Sequence, residues 1–529
     1  MKTIKKYIQV SVFLMASVLF AQNKKPNIIY IMSDDHAAQS IGAYGSDLAK
    51  LNPTPNIDKL ASEGILFKNA FCNNSICTPS RASIISGQYS QTNGVLDLDM
   101  DLDTEKQYLP IEMKKLGYTT AMIGKWHLKN EPVKFDYYKV LPSQGKYFNP
   151  TFREKGKGTW PKNIVKSKGH SSDVITDLAI NYLENVDKSK PFFLMHHYKA
   201  PHDMFQYAPR YEDYLKNTEI PEPASMYNQP FWGSEGTRGK NDSLVHFIGT
   251  SVSPRHENSV SASDYTARFF GEDIEPKLGT HLAYQKYLKD YLRCVKGVDD
   301  NLGRLFDYLK KEGLWDNTVI IYTGDQGMML GAHDLIDKRW IYDEAMRMPF
   351  IVHYPNMIKK GQTTDLLINN TDYAPAMIEL AGGKTPKYMQ GKSFINTLKG
   401  KSEKDWRTGT YYRYWMHMIH HAVPAHFGLR TKDYKLIFYY GSHYLTAKDF
   451  TNQYWIKSKL GHNVQTPVAW EFYDLKNDPK ELHNRYNDPA FKEIIEELKV
   501  ELKRQRIELN ETDKEYPHIQ KIINEHWND

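Results

Sequence analysis

Cysteine is scarce in this sequence: Cys72, Cys77 and Cys294 are the three in 529 residues. So few exclude a disulfide-stapled scaffold, and an odd number leaves at least one sulfur with another task. Charge of one sign is scarce too. The net charge is +6, and setting aside Lys2, Lys5 and Lys6, which lie in a leader-like segment, leaves about +3. That is too weak a balance for a nucleic-acid-binding protein. Beyond residue 21 no apolar run is long enough to cross a bilayer. Internal repeats and low-complexity tracts are missing as well, which excludes solenoid and array architectures.

The chain opens with "MKTIKKYIQVSVFLMASVLFAQ", a basic start, an apolar run from Tyr7 to Phe20, and then small Ala21. This is the pattern of a secretory signal peptide over residues 1–21, and it predicts an exported protein, periplasmic or secreted, with no membrane span. The whole chain, with 40% hydrophobic and 25% charged residues, has the balance of a folded globular protein. Aromatic residues make up 13%; most serve packing, and such rings also suit carbohydrate-handling surfaces.

Several apolar runs end abruptly in polar residues. "PNIIYIMSDDH" stops at Asp34 and Asp35, and "NTVIIYTGDQG" stops at Asp325 and Gln326. "YTTAMIGKWH" and "PFFLMHHYKAPH" carry Lys125, His127 and His202 just past their apolar stretches. Continuous apolar runs are the mark of parallel strands buried on both faces, and ligands collect at the carboxyl edge of such sheets. Helical patterns lie between the runs, as in "DVITDLAINYLENV" and "LRCVKGVDDNLGRLFDYLKKEG". The alternation predicts an α/β fold: a large mixed, mostly parallel sheet sandwiched by helices. We expect a catalytic domain over residues 22–400, with an irregular substrate-side insertion at 203–275. The C-terminal subdomain, 401–529, should be α+β, with an antiparallel sheet and an amphipathic helix.

Three carboxylates and an amide oxygen at strand ends suit a hard divalent cation, although an Asp-Asp pair can also cap a helix. Cys77, in the turn "NNSICTPSRASIISGQ", is open to three readings: a disulfide partner, a metal ligand or a reactive nucleophile.

The run Cys77, Pro79, Ser80, Arg81, Ile84, Ser86 and Gly87 resembles the signature of the formylglycine-dependent (type I) sulfatases of the alkaline phosphatase superfamily. "NIIYIMSDDH", "GKWHL", "APH", "TGDQG" and "DKRWIYDEAMRMP" resemble further elements of that family, so the likeness spans nearly all of the chain after the leader. Gln88 stands where the family often has Arg, and Gln326 where it often has Asn or His. The resemblance implies that a maturation enzyme oxidises Cys77 to formylglycine, whose hydrate is the nucleophile. It also implies that Asp34, Asp35, Cys77, Asp325 and Gln326 hold a divalent metal, calcium ahead of magnesium. Arg81 would hydrogen-bond the formylglycine. Lys125 and Lys338 would clamp the sulfate, His202 (with Lys338) would protonate the leaving oxygen, and His127 would act as base. Other histidines carry lesser expectations: His196 and His197 as packing partners, His417, His420, His421 and His426 as a substrate-facing rim, and His333 with Asp337 near Lys338.

The function this implies is hydrolysis of sulfate esters on a carbohydrate, with an algal polysaccharide such as ulvan, or its oligosaccharides, placed first and glycosaminoglycans second. A phosphonate or phosphate monoester hydrolase of the same superfamily and an inactive glycan-binding homologue are the competing readings.

Overall fold

The computed structural model describes residues 25–227, 229–253, 275–419, 421–446 and 465–529. The leader, residues 228 and 254–274 of the expected insertion, and His420 lie outside these residues. Strands β1 (Asn27–Ser33), β2 (Ile65–Phe71), β3 (Thr119–Lys125), β4 (Tyr137–Leu141), β5 (Thr151–Glu154), β6 (Ile164–Lys166), β7 (Phe192–Tyr198), β8 (Thr318–Gly324), β9 (Arg347–Met348), β10 (Phe350–His353) and β11 (Gln362–Asn369) form one sheet. Its order is β11-β2-β10-β8-β1-β7-β3-β4-β5-β6, with β9 pairing on β2. Pairs β8-β1, β1-β7, β7-β3 and β3-β4 are all parallel, and the outer β4-β5 and β5-β6 pairs are antiparallel. The sheet is thus mixed and mostly parallel at its centre, as its unbroken apolar runs predict.

Side chains alternate across each strand, so one apolar run supplies two cores. In β1, Ile28, Tyr30 and Met32 enter the core on one face, and Ile29 and Ile31 the core on the other. Helices α1 (Pro55–Ser62), α4 (Ser171–Asn185) and α5 (Pro276–Lys311) cover the second face, through residues such as Ile57, Leu183 and Leu302. Helices α2 (Cys77–Ser86), α3 (Tyr108–Lys115) and α6 (Tyr373–Leu380) cover the first, through Ile84, Met113 and Met377. Helix α5 starts where Glu275 accepts from the amides of Lys277 and Leu278 and Pro276 takes the first turn.

A second, four-stranded antiparallel sheet follows: β12 (Gly409–Tyr414), β13 (His426–Thr431), β14 (Tyr434–Tyr439) and β15 (Ala469–Asp474), in that spatial order. Helices α7 (Lys492–Glu508) and α8 (Pro517–His526) share its core with Phe427, Phe438 and Trp470. Buried ion pairs tie this sheet to the short helix Asp343–Met346 that precedes β9, where Asp343 meets Arg430 at 2.9 Å and Lys435 at 2.8 Å; Lys435 also meets Glu481, beyond β15, at 2.6 Å. Of the insertion, the described residues form short turns and one four-residue helix, Glu235–Arg238.

His196 is fully buried on β7, its ring edge-on to Tyr198 at 4.6 Å and neither ring nitrogen hydrogen-bonded. Burial pushes its pKa down to about 3. The unfolded chain takes up this proton near pH 6.5 and the folded one does not, so stability falls as pH drops below 6.5. The slope from this residue is about 1.4 kcal/mol per pH unit. His196→Phe is therefore expected to flatten the fall in Tm between pH 7 and 5; an unchanged slope would refute the assignment.

Candidate active site

β1 and β8 are neighbours in parallel register, Ser33 opposite Gly324, so the residues that follow leave the same sheet edge together. The amide of Asp35 donates to Asp325 Oδ1 at 3.0 Å. Asp34, Asp35, Asp325 and Gln326 are all fully buried. Helix α2 is brought to this edge by Ser80, whose hydroxyl donates to the Asp325 carbonyl and accepts from Asn370 Nδ2 at 2.9 Å. Cys77 occupies the helix's first turn, where the backbone carries partial positive charge. Asp34 and Asp325 each reach Cys77, as do Asp35 and His202: in both groups the ligating atoms lie within 4.8 Å of one another. The two strand tips, 290 residues apart in sequence, and the Cys77 turn are one place.

Protein cations lie among these carboxylates. Arg81 Nε donates to Asp325 Oδ2 at 2.9 Å, and its other nitrogens reach Asp34 Oδ1 at 3.2 Å and the Lys125 carbonyl at 2.6 Å. Its guanidinium thus braces the acidic residues, with the ring of His197 beside it at 3.5 Å. Lys125 donates to Asp34 and to Gln144, and Lys338 to Asp35. Burial alone would raise Asp34, but Lys125, His202 and Arg81 outweigh it and hold its carboxyl well below the usual range. Burial and then the charge of Asp34 push Asp325 up. Burial also pushes the Cys77 thiol up to about 12 against the pull of Lys338, so an unmodified Cys77 is a protonated thiol at neutral pH.

The donors fit a hard divalent cation. Three buried carboxylates converge, and Gln326 directs its Nε2 at Asp35 while its Oε1 is buried with no partner among the described residues. A half-turn of that amide offers the oxygen to the same point. An all-oxygen set of this kind suits Ca²⁺ or Mg²⁺.

His202 arrives on the turn after β7. Its Nδ1 donates to Asp203 at 2.6 Å, which leaves Nε2 to face the acidic group, 3.8 Å from Asp35 Oδ2. His127 follows β3 in left-handed backbone, φ 54°, and burial, then Lys125 and Arg81, hold its pKa well below the ordinary value. Asp35 and Arg339 are left-handed too, at φ 62° and 85°. Such conformations cost of order 1–3 kcal/mol each and persist where surrounding contacts impose them. Gly124, before Lys125, is required by packing: a Cβ there would lie 1.8 Å from the His197 carbonyl oxygen.

Above Cys77 opens a cavity of about 690 Å³, within the range of small-molecule sites. His127, His202 and Lys338 line it; Lys125 lies behind the wall, engaged with Gln144, which does line it. Among the remaining walls, Asp337 and His421 were expected near Lys338 and on a substrate-facing rim, and the others went unread in the sequence. These walls come from Trp126 and Lys129, from Ser143, Arg153, Trp160 and Pro161, and from Asp203, Asp337, Arg339 and His421. Asp337 pairs with Arg339 and lies 3.7 Å from His421. Of the other histidines, His196 and His197 are buried in β7, His417 accepts from the Ala425 amide at 3.0 Å, His426 stacks near Trp340, and His333 stacks on Trp232. Among the described residues of 203–275, Asp203 reaches the cavity.

Comparison with known proteins agrees with this architecture. The sulfatase family model matches residues 26–383, and a model of the N-sulphoglucosamine sulphohydrolase C-terminal region matches 331–453 and 443–508. An N-acetylglucosamine-6-O-sulfatase of Bacteroides thetaiotaomicron is 37% identical over 94% of this chain and 87% of its own length. An ulvan-active sulfatase of Formosa agariphila is 28% identical, covering 90% and 79%. A solved structure of a protein in complex with its substrate D-glucosamine-2-N,6-O-disulfate superposes with a TM-score of 0.79 at 35% identity, covering 93% of this chain and 99% of that one. The family match runs through every strand tip that carries the acidic cluster, and this chain belongs to the sulfatase family and is a sulfuric ester hydrolase.

Proposed function

We propose that this enzyme removes 6-O-sulfate from glucosamine or N-acetylglucosamine in glycosaminoglycan-type saccharides, with residues 22–400 as the catalytic domain and 401–529 as a C-terminal subdomain. The observation that carries the chemistry is the convergence of Asp34, Asp35 and Asp325 on position 77. The 37% identity to an N-acetylglucosamine-6-O-sulfatase, against 28% to an ulvan-active one, supports an animal-type rather than an algal substrate.

In this reading a maturation enzyme converts Cys77 to formylglycine, whose hydrate supplies the nucleophilic hydroxyl. A calcium ion held by Asp34, Asp35, position 77, Asp325 and Gln326 would supply positive charge for the sulfate oxygens and acidify that hydroxyl. Arg81 holds Asp34 and Asp325 together at fixed orientation. Lys338, at the cavity wall, attracts the sulfate; Lys125 does so from behind Gln144. His202, with Nδ1–H anchored on Asp203, presents Nε2 to protonate the departing sugar oxygen. His127, held neutral by its surroundings, is the base for the hydroxyl at position 77.

The test is sulfate release by formylglycine-bearing protein from N-acetylglucosamine-6-sulfate, galactose-6-sulfate, ulvan oligosaccharides and matched aryl sulfate and phosphate esters. Preference for ulvan or for phosphate would defeat the proposal. A finer expectation concerns His202. His202→Ala should slow release from a sugar sulfate by about 10²–10⁴-fold, and release from 4-nitrocatechol sulfate, whose leaving group needs no proton, by less than tenfold. Equal losses on both would remove His202 from the role of acid.

A further inference from the structure

The charge of this protein is concentrated. Residues 146–168 carry seven Lys and Arg against one Glu, a net +6, which equals that of the whole 529-residue chain. The segment is the β5-β6 hairpin with its flanks, at the outer edge of the large sheet. Lys146, Lys157, Lys162, Lys166 and Lys168 are all exposed, and none pairs with a carboxylate among the described residues. Unpaired like charges at this density repel one another, and they raise the local concentration of any anion of matching extent.

The hairpin is also a wall of the active-site cavity. Arg153, Trp160 and Pro161 line it, with the Arg153 guanidinium over the Trp160 ring at 4.6 Å from its centroid. Register decides which residues share that face. Arg153 lies opposite Ile164, and Thr151 opposite Lys166, so Lys166 stands on the cavity-lining face, while Phe152 and Val165 turn to the core behind. The ladder continues past the strand, Ser167 donating to the Pro150 carbonyl and Asn149 to that of Gly169. Lys168 is therefore about 13 Å along the strand from the level of Arg153. Lys146 sits two residues from Gln144, another lining residue. Lysine on an outermost strand also deters pairing with a second chain. That role is met by Lys166 alone; it does not require Lys146, Lys157 and Lys162 outside the strand.

We infer that this hairpin is a binding platform for the continuing chain of a polyanionic glycan whose terminal sulfate ester lies at position 77. The lysines take sulfate or carboxylate groups of the sugars beyond the one being cleaved, and Arg153 with Trp160 forms the step between cavity and platform. This rests on the proposed sulfatase function and adds that the preferred substrate is an oligosaccharide.

The test compares wild type with a variant carrying Lys157→Gln, Lys162→Gln, Lys166→Gln and Lys168→Gln. Against a heparin-derived octasaccharide the variant should raise KM by about 10- to 50-fold with kcat unchanged, since each exposed pair contributes modestly. Against monosaccharide 6-sulfate both constants should stay within twofold. Wild-type KM for the octasaccharide should climb with salt, and the climb should flatten in the variant. The corresponding four Lys→Arg changes should preserve wild-type values. Equal effects on both substrates, or none on either, overturn the platform. Calorimetric binding of the octasaccharide to protein with unmodified Cys77 separates the two proposals. Weakened binding by the variant, with no 6-O-sulfate release by formylglycine-bearing wild type, sustains the platform and defeats the 6-O-sulfatase proposal; 6-O-sulfate release with unweakened binding does the reverse. Equal affinity for an oligodeoxythymidylate of the same charge overturns the glycan assignment.

Discussion

Cys77→Ala in protein matured beside a formylglycine-generating enzyme is expected to lower sulfate release by about 10⁴-fold or more, the scale seen when a nucleophile is removed from an otherwise intact site. The physical case is local. Position 77 lies within 4.8 Å of ligating atoms from Asp34 and Asp325 in one group and from Asp35 and His202 in another, so its side chain is the one at the centre of the acidic cluster. The thiol itself offers no bypass, because burial pushes it up to about 12 and keeps it protonated. Cys→Ala removes one buried atom, so folding should change little, and urea unfolding of the variant should fall within about 1–2 kcal/mol of wild type. Mass analysis of the peptide around residue 77 accompanies the assay, since unmodified wild type should be as inactive as the variant. Activity within tenfold of wild type in Cys77→Ala would end the proposed mechanism.

The second large effect is on stability. Arg81 is buried and bonds Asp325 at 2.9 Å and Asp34 at 3.2 Å. Two carboxylates that share one guanidinium repel each other without it, and neither can reach water. Breaking a buried pair by removing one partner typically costs about 3–5 kcal/mol, far more than the pair adds over an apolar substitute. Arg81→Met should therefore lower unfolding free energy in urea by about that amount. Arg81→Lys should recover only part of it, because an ammonium lacks the planar fork that serves both partners. A loss below 1 kcal/mol in Arg81→Met would show that the acidic cluster is not held together in this way.

The site was legible where chemistry depends on residue type at the end of an apolar run. Asp34–Asp35 and Asp325–Gln326 stand out because two buried strands far apart in sequence both end in acids, at the edge where such sheets bind ligands. Cys77 stands out because its turn carries a distinctive run of small and polar residues, and Lys338 and His202 follow from the same resemblance. The cavity's outer walls were harder. Arg153, Trp160, Asp203, Asp337, Arg339 and His421 come from four separate segments, and only tertiary folding makes them neighbours. The one sequence clue to the hairpin wall was its lysine density, which the low overall net charge conceals. The expectation that Arg81 hydrogen-bonds position 77 met a geometry in which its donors serve Asp34, Asp325 and the Lys125 carbonyl.

Sequence alone determined the elements and the reactive groups: continuous apolar runs assign β1, β3, β7 and β8 to a sheet buried on both faces, and their polar ends mark its working edge. Tertiary structure decided partnership. Whether Asp34 faces Lys125 or Arg81, whether Lys125 meets solvent or lies behind Gln144, and which loops wall the cavity all depend on strand order and register. Those are set by the packing of two cores against one sheet, a long-range property that local spacing does not encode.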